Sequence, residues 1–235
     1  MVSSQTYATA NEIFDELDQT KRDDAPVVAR IAKAVSRWID GYCNRQDYGF
    51  IALTSATANV YSGAGKAWLY LPDFVELTTV KMKTSISQTT YDFTFDSADI
   101  IPFRGDVRNP QYNKLPYHAI MININASYTH FTDGNRLSTR NRAIVLPDSD
   151  NQLPAIPTIE VTAKWGYSVV VPDIIKQVCI IESARIYKQS RAGYGDASLN
   201  QELGQTNFVK ALHPTAKKML DNSRMRQTTI QGIRR

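Results

Sequence analysis

Five side chains in the sequence are of the types that most often bind metals or act as nucleophiles. They are His118, His130, His213, Cys43 and Cys179. A zinc site needs ligands at short characteristic spacings, such as two cysteines separated by two residues, and none of the five has such a neighbour. Both cysteines lie in apolar stretches with a helical pattern, where a free cysteine packs as a small apolar side chain. A disulfide or a metal pair is the alternative, and we expect two buried thiols instead.

Two loops have part of the composition of a ligand-binding loop. Ser62 to Lys66 ends in Gly-Lys like a phosphate loop, but the preceding glycine spacing is absent and no helix follows, so we expect a hairpin turn. Asp96, Asp99 and Asp106 share one loop without the glycine-marked spacing of a calcium site, which favours a solvated acidic loop. No catalytic, cofactor or metal residues are therefore predicted. We do not expect an enzyme, and a hydrolase or nuclease without a sequence signature is the remaining catalytic alternative.

Composition places the chain among ordinary globular proteins. It has 235 residues, of which 43% are hydrophobic and 21% charged. No apolar run approaches the ~20 residues of a membrane helix, and the first residues lack the pattern of a secretory signal. We expect a protein made in a cytoplasm. Residues 161–235 carry 12 Lys or Arg and 5 Asp or Glu, whereas residues 1–160 carry 15 and 18. This basic C-terminal part suits an acidic partner, a nucleic-acid backbone or a solvated helix face.

Apolar residues at helical spacing predict four helices. A short one lies near residues 9–18, and a second runs over 25–44 behind Asp24 as N-cap, with Pro26 in its first turn. A third begins at Pro172 and a fourth at Pro214. The third is apolar on most sides, and three or four helices can hardly cover it, so neighbouring subunits are expected to help. Its core or interface residues are Ile174, Ile175, Val178, Ile181 and Tyr187.

In the second helix we expect one apolar stripe facing the core or a subunit interface, with the charged residues elsewhere on the helix. Arg30, Lys33, Arg37 and Asp40 are those charged residues. The stripe consists of Val28, Ile31, Val35, Trp38, Ile39 and Tyr42.

Between the second and third helices the pattern changes to short β-branched or aromatic runs separated by Gly and Pro. Residues 96–116 contain three prolines and are expected to form a long loop. The fold class is therefore α+β, with a small bundle of three or four helices interrupted by a large antiparallel β-rich insertion. The predicted strands are 59–61, 67–71, 75–82, 91–95, 119–124, 143–146 and 159–165.

These elements predict a helical core domain from residues 1–46 and 167–223, an inserted β domain at 47–166 and a basic, extended tail at 224–235. The return from the β domain to the helices falls on a conspicuous stretch. Gly166 eases a turn there, and Pro172 begins the third helix. The junction residues are Trp165, Gly166, Tyr167 and Pro172.

Three stretches together resemble the head–tail connector proteins of tailed bacteriophages, also called adaptor or head-completion proteins. Ala34 to Arg45 is similar to the family's helix end Ala-Ser-x-x-Ile-Asp-x-Tyr-Cys-x-Arg. Ala67 to Pro72 resembles its leucine-rich strand followed by proline. Trp165 to Lys188 resembles the return into the next helix. Each motif is short, but their order and spacing match over about residues 7–224.

The resemblance implies a structural virion protein of the neck, assembled in the host cytoplasm and not bound to a membrane. A ring of twelve copies would bind beneath the portal protein and extend the DNA channel, through which DNA passes without sequence recognition. It would also form the platform for the next neck or tail-completion protein. The resemblance carries over no catalytic residue or cofactor. In related adaptors the C-terminal segment reaches the portal, which here implies Arg224, Arg226, Ile230, Ile233, Arg234 and Arg235.

A binding module is the main alternative. In that hypothesis the β domain holds a carbohydrate or host-surface ligand through its aromatic rings, although packing within the core is the better account of them. The rings concerned are Tyr91, Phe93, Phe95, Tyr112 and Tyr117.

Overall fold

The structure, a computed structural model, describes residues 5–19, 22–104, 108–134, 156–191, 197–200, 205–208 and 213–222. These residues form four helices and nine strands, so the predicted α+β class is confirmed. The helices are α1 (Ala10–Glu16), α2 (Ala25–Tyr42), α3 (Asp173–Arg191) and α4 (Pro214–Asn222). The strands are β1 (Thr57–Tyr61), β2 (Trp68–Met82), β3 (Phe93–Thr94), β4 (Ile100–Arg104), β5 (Gln111–Tyr112), β6 (Tyr117–Ile122), β7 (Ile159–Trp165), β8 (Ala197–Asn200) and β9 (Gln205–Phe208).

The chain divides into two compact units. The helical unit comprises residues 1–51 and 170–235, and the β unit comprises residues 52–169. The boundaries lie slightly later than the expected 46/47 and 166/167. Phe50 belongs to the helical unit because its ring packs edge-on against Tyr7, with centroids 5.9 Å apart. Ser168 belongs to the β unit because its carbonyl accepts the N–H of Ala52 at 2.8 Å.

Local sequence explains where α1 and α2 begin. Thr9 and Glu12 form a capping box, in which the Thr9 hydroxyl accepts the N–H of Glu12 and the Glu12 carboxylate accepts the N–H of Thr9. Asp24 occupies the N-cap position of α2, but its side chain makes no capping hydrogen bond. Its Oδ2 instead accepts the hydroxyl of Tyr187 at 2.6 Å and pairs with Arg191, both on α3. Asp24 therefore ties the start of α2 to the end of α3.

The apolar residues of α2 form two stripes rather than the single one predicted. Val28, Val35 and Ile39 are buried and face α1 and α3. Trp38 is 40% exposed and stacks on Tyr42 with centroids 5.5 Å apart. The second stripe thus lies beside the core-facing one, on a flank of the helix that the described part of the helical unit covers incompletely.

The β unit is built on an antiparallel sheet, which in the described residues has seven strands in the order β1-β7-β2-β6-β4-β5, with β3 paired to β2. β7 alternates strictly: Ile159, Val161, Ala163 and Trp165 are buried, and the residues between them are half-buried. The polar side carries cross-strand ion pairs from β7 to β2, such as Lys81–Glu160 at 2.8 Å.

The register of the sheet corrects several strand predictions. The runs 67–71 and 75–82 are one strand, β2, because Pro72 lies in the register shift between Tyr70 and Phe74, where no ladder donor is required. β1 and β2 do not form the expected hairpin, since β7 lies between them. The expected loop 96–116 contains β4 and β5. The predicted strand 143–146 lies outside the described residues.

Residues 197–200 and 205–208 form a two-stranded antiparallel hairpin, β8 with β9, in a stretch for which no strand was predicted. Among the described residues, no helix is both long and apolar enough to cross a membrane.

Candidate functional site

The residues predicted on α3 lie in the core of the helical unit or at its border. Ile175 and Val178 are fully buried and Tyr187 is 5% exposed. α3 packs against α1, α2 and α4, so a single chain covers these three side chains and the expected need for a neighbouring subunit does not hold for them. Ile174 and Ile181 are only half-buried. Because they are seven residues apart, they share one face of α3.

The junction residues fall on both sides of the change from the β unit to the helical unit. Trp165 is fully buried in the β unit, where its indole N–H donates to the Thr57 carbonyl at 2.8 Å. Gly166 has a φ of 136°, which favours glycine, and its N–H donates to the Asp73 carbonyl at 2.7 Å. Tyr167 is half-buried. The Pro172 carbonyl accepts the N–H of Lys176 at 3.0 Å, the first hydrogen bond of α3.

The six residues expected to reach a portal lie outside the described residues, as does the whole predicted tail at 224–235. They are Arg224, Arg226, Ile230, Ile233, Arg234 and Arg235.

A buried polar cluster, which the sequence pattern did not reveal, joins the N-terminal segment to α2. The Tyr7 hydroxyl donates to the carboxylate of Asp40 and accepts the N–H of Phe50 at 2.8 Å. Arg37, one turn before Asp40, places Nη1 3.1 Å from Oδ2 of that carboxylate. Ser36 accepts the N–H of Tyr7 at 3.0 Å. The cluster fixes the segments before α1 and after α2 to the same helix.

The electrostatics of this cluster suit a structural role. Burial raises the pKa of Asp40 to about 6, against the lowering effects of the Tyr7 hydrogen bond and of the Arg37 and Arg45 charges. Burial, followed by the nearby Asp40 charge, also raises the pKa of Tyr7 well above its usual value, so the hydroxyl remains a donor. Tyr7 and Asp40 are each only 2% exposed and cannot meet a substrate from solution.

A second buried carboxylate, Glu182 on α3, holds the start of α4. It is 2% exposed, and its Oε2 accepts Nε and Nη2 of Arg185, both at 2.9 Å. Its other oxygen accepts the N–H of His213 at 2.7 Å. At the other end of α4, Asp221 accepts the hydroxyl of Tyr42 at 2.7 Å. The spacing of Glu182 and Arg185 is readable as a helical ion pair, but its burial is not.

An acidic groove lies between α1 and α3, with a volume of about 540 Å³. Glu12 is paired with Lys176, which together with the N–H of Thr9 lowers the pKa of this carboxyl. Glu16 and Asp173 form no ion pair within the described part of the chain, so the groove retains a negative surface. Its lining consists of Glu12, Asp15, Glu16, Asp173, Lys176, Gln177 and Ile180.

The chemistry-bearing residues do not converge on one place. Cys43 and Cys179 are buried free thiols, as predicted. Cys179 lies 3.6 Å from the Ser36 hydroxyl, and burial raises the pKa of its thiol. Across the described ranges, no group of three or more His, Cys, Asp or Glu side chains is arranged to hold a metal ion.

Packing within the β unit accounts for the aromatic rings considered for ligand binding. Phe93 lies edge-on to Phe95, with ring centroids 4.9 Å apart. Tyr117 lies 5.5 Å from Phe74, and the ammonium of Lys83 lies 5.2 Å from the centre of the Tyr91 ring. The remaining ring is that of Tyr112, which is 44% exposed and 6.2 Å from Phe103.

Comparison with models of protein families gives no match for this chain, and comparison with curated proteins gives no significant match.

Proposed function

We propose that the protein is a structural virion component of a bacteriophage neck. In this proposal twelve copies form an adaptor ring beneath the portal protein, extend the DNA channel and offer the platform for the next neck or tail-completion protein. The copies assemble in the host cytoplasm, and DNA passes through the lumen without sequence recognition. The protein has no catalytic role.

One observation carries the proposal. The stretches 34–45 and 172–188, which resemble the connector family, fall largely on α2 and α3, and these two helices pack against each other in the helical unit although the β unit separates them in sequence. The proposed architecture is accordingly a helical bundle, the ring-forming part, interrupted by an inserted β domain. The basic segment 224–235 is the proposed contact with the portal.

The direct test is electron microscopy of the purified protein mixed with the portal protein of the same phage. A twelve-fold ring stacked on the portal is expected. A protein that remains monomeric and does not bind the portal would contradict the proposal.

A truncation after Ser223 tests the role of the tail. We expect the truncated chain to keep the circular-dichroism spectrum and unfolding midpoint of the full chain, and to bind the portal at least tenfold more weakly because four arginines are lost. The matched control replaces Lys217 and Lys218, two exposed cations on α4, with glutamine. Undiminished binding by the truncated chain would remove the tail from the interface.

No observation favours the alternative of a carbohydrate-binding β module, since packing occupies most of the rings on which it would depend. Glycan-array binding that is lost on deletion of residues 52–169 would revive it.

A further inference from the structure

The outer flank of α2 carries an apolar stripe bordered by positive charge. Side chains three or four residues apart lie on the same side of a helix, so one row runs along α2 beside its core-facing residues. Trp38, at 40% exposure, is the most prominent member. An exposed tryptophan in such a row is typical of an interaction surface. The row consists of Val27, Ile31, Ala34, Trp38 and Tyr42.

The exposed charges of α2 are positive. Arg30 precedes Ala34 by one turn and therefore borders the row, and Lys33 lies further round the exposed surface. Neither cation forms an ion pair within the described part of the chain. The only acidic residue of α2, Asp40, is buried beneath Tyr7 and Arg37. The cations beside the stripe therefore favour a partner surface with negative charge.

The acidic groove between α1 and α3 has this negative charge. Asp15 and Glu16 are exposed at its edge, where Asp15 also pairs with Arg22 at 2.8 Å, and Ile180, the apolar residue of the lining, is only 8% exposed. No described residue of α2 lines the groove, because α2 packs against α1 and α3 through its core-facing stripe. Arg30 points away from that stripe, so the basic flank of α2 cannot reach the groove of its own chain.

We infer that the basic flank of α2 in one copy docks in the acidic groove of a second copy. Two different surfaces of the same unit then meet, which makes the contact heterologous. Repetition of a heterologous contact closes into a ring when the rotation between copies permits. The inference rests on the proposed function and deepens it by naming the two surfaces that join neighbouring copies.

Charge reversal on each surface, followed by exchange, tests the contact. Arg30→Glu with Lys33→Glu gives one variant, and Asp15→Lys with Glu16→Lys gives the other. Each is expected to raise the dissociation constant between copies at least tenfold, measured by sedimentation velocity, because like charges then face each other. The chain that carries all four substitutions is expected to regain association, since the two charges are exchanged. Association of the wild type is expected to weaken as salt is raised.

The control reverses Lys217 and Lys218, exposed cations of the same unit that lie outside both surfaces, and is expected to associate like the wild type. Unchanged association in both reversed variants would overturn the inference, as would a fourfold variant that fails to recover. The inference would also be overturned if the wild-type chain did not associate with itself, either in solution or when the portal protein is present.

Portal binding, measured separately by pull-down, distinguishes this inference from the proposed function. If the charge-reversed variants still form rings on the portal, the proposed function is supported and the proposed interface is rejected. If association is lost in each reversed variant and recovered in the fourfold variant, but no chain binds the portal, the interface is supported and the proposed function is rejected.

Discussion

The Tyr7 hydroxyl donates a hydrogen bond to the carboxylate of Asp40, thirty-three residues later in the chain, and both side chains are buried. The same oxygen accepts the N–H of Phe50 at 2.8 Å. One hydroxyl therefore satisfies a buried acid and a buried backbone donor together. Loss of this hydroxyl removes one hydrogen-bond partner from each of these two buried groups.

Tyr7→Phe is accordingly expected to lower the free energy of unfolding by about 1–3 kcal/mol. Urea denaturation followed by circular dichroism measures the change. Tyr112→Phe is the matched control, because Tyr112 is 44% exposed, and it should lie within about 0.5 kcal/mol of the wild type. Equal effects of the two substitutions would argue against the buried cluster.

Asp40 is expected to produce an unusual dependence of stability on pH. Its pKa is about 6 in the folded chain, above the ordinary value of 3.8, so the folded state holds this proton more tightly than the unfolded state. Its contribution to the free energy of unfolding is therefore fully present below about pH 4 and is lost as the pH rises through about 6.

The comparison variant is Asp40→Asn, which cannot titrate but keeps an oxygen that accepts from Tyr7. Between about pH 4 and 6 the stability difference, wild type minus variant, should decline as pH rises. A flat or rising difference in urea titrations would show that Arg37 and Arg45 keep the folded carboxyl ionised below this range.

Alanine substitutions at two glycines distinguish the cost of backbone strain from the cost of steric crowding. Gly49 and Gly65 have similar positive φ values, 69° and 64°. A Cβ at Gly49 would lie 2.5 Å from the Tyr7 hydroxyl, whereas the nearest atom to a Cβ at Gly65, on Asp133, is 3.8 Å away. Gly65→Ala is expected to cost about 1 kcal/mol from strain alone, and Gly49→Ala about 1–3 kcal/mol more from overpacking.

An alanine substitution at Gly41 is expected to stabilise the protein instead. Gly41 lies within α2, and a Cβ there would make an ordinary 3.7 Å contact with Gln46. Gly41→Ala should therefore raise the free energy of unfolding by about 0.5–1 kcal/mol. Hydrogen–deuterium exchange on peptides of the affected unit measures all three variants, and a Gly49→Ala variant as stable as Gly65→Ala would contradict the crowding beside Tyr7.

Removal of the Glu182 carboxylate is expected to release α4. Glu182→Ala removes the ion pair with Arg185 and the acceptor of the His213 N–H, at a cost of about 3–5 kcal/mol. Faster proteolysis and hydrogen exchange over residues 214–222 should report the release. Glu16→Ala, at an exposed position, is the control and should leave exchange in α4 unchanged. Protection of α4 that survives Glu182→Ala would show that Ala216 and Leu220 hold this helix by packing alone.

Local patterns predicted most elements but not their partners. α2 was placed within two residues of its observed end because its apolar spacing and Pro26 act within a few turns. Asp40 was assigned to the polar side of α2, and only the arrival of Tyr7 from outside the helix explains its burial. β7 between β1 and β2 escaped prediction for the same reason, since strand order depends on contacts a hundred residues apart.

The two candidate surfaces also depend on contacts between helices that local sequence patterns do not reveal. A helical wheel shows the apolar residues of α2 but not which of them are buried. Whether they form one core-facing stripe or a buried stripe beside an exposed one depends on which residues α1 and α3 cover. Trp38 was therefore predicted beside Val35 and Ile39, although the structure leaves it 40% exposed. The acidic groove needs Glu16 and Asp173 on one surface, and no pattern within either helix brings them together.

Because residues 52–169 separate the two halves of the helical unit, its order of folding follows from the order of synthesis. α1 and α2 leave the ribosome about 10 s before α3 exists, at ordinary rates of translation. During that interval Val28, Val35 and Ile39 have no α3 to cover them, while the sheet can already close once β7 emerges. The β unit is thus expected to fold first on the nascent chain, and the helical unit to fold later, when α3 has been synthesised.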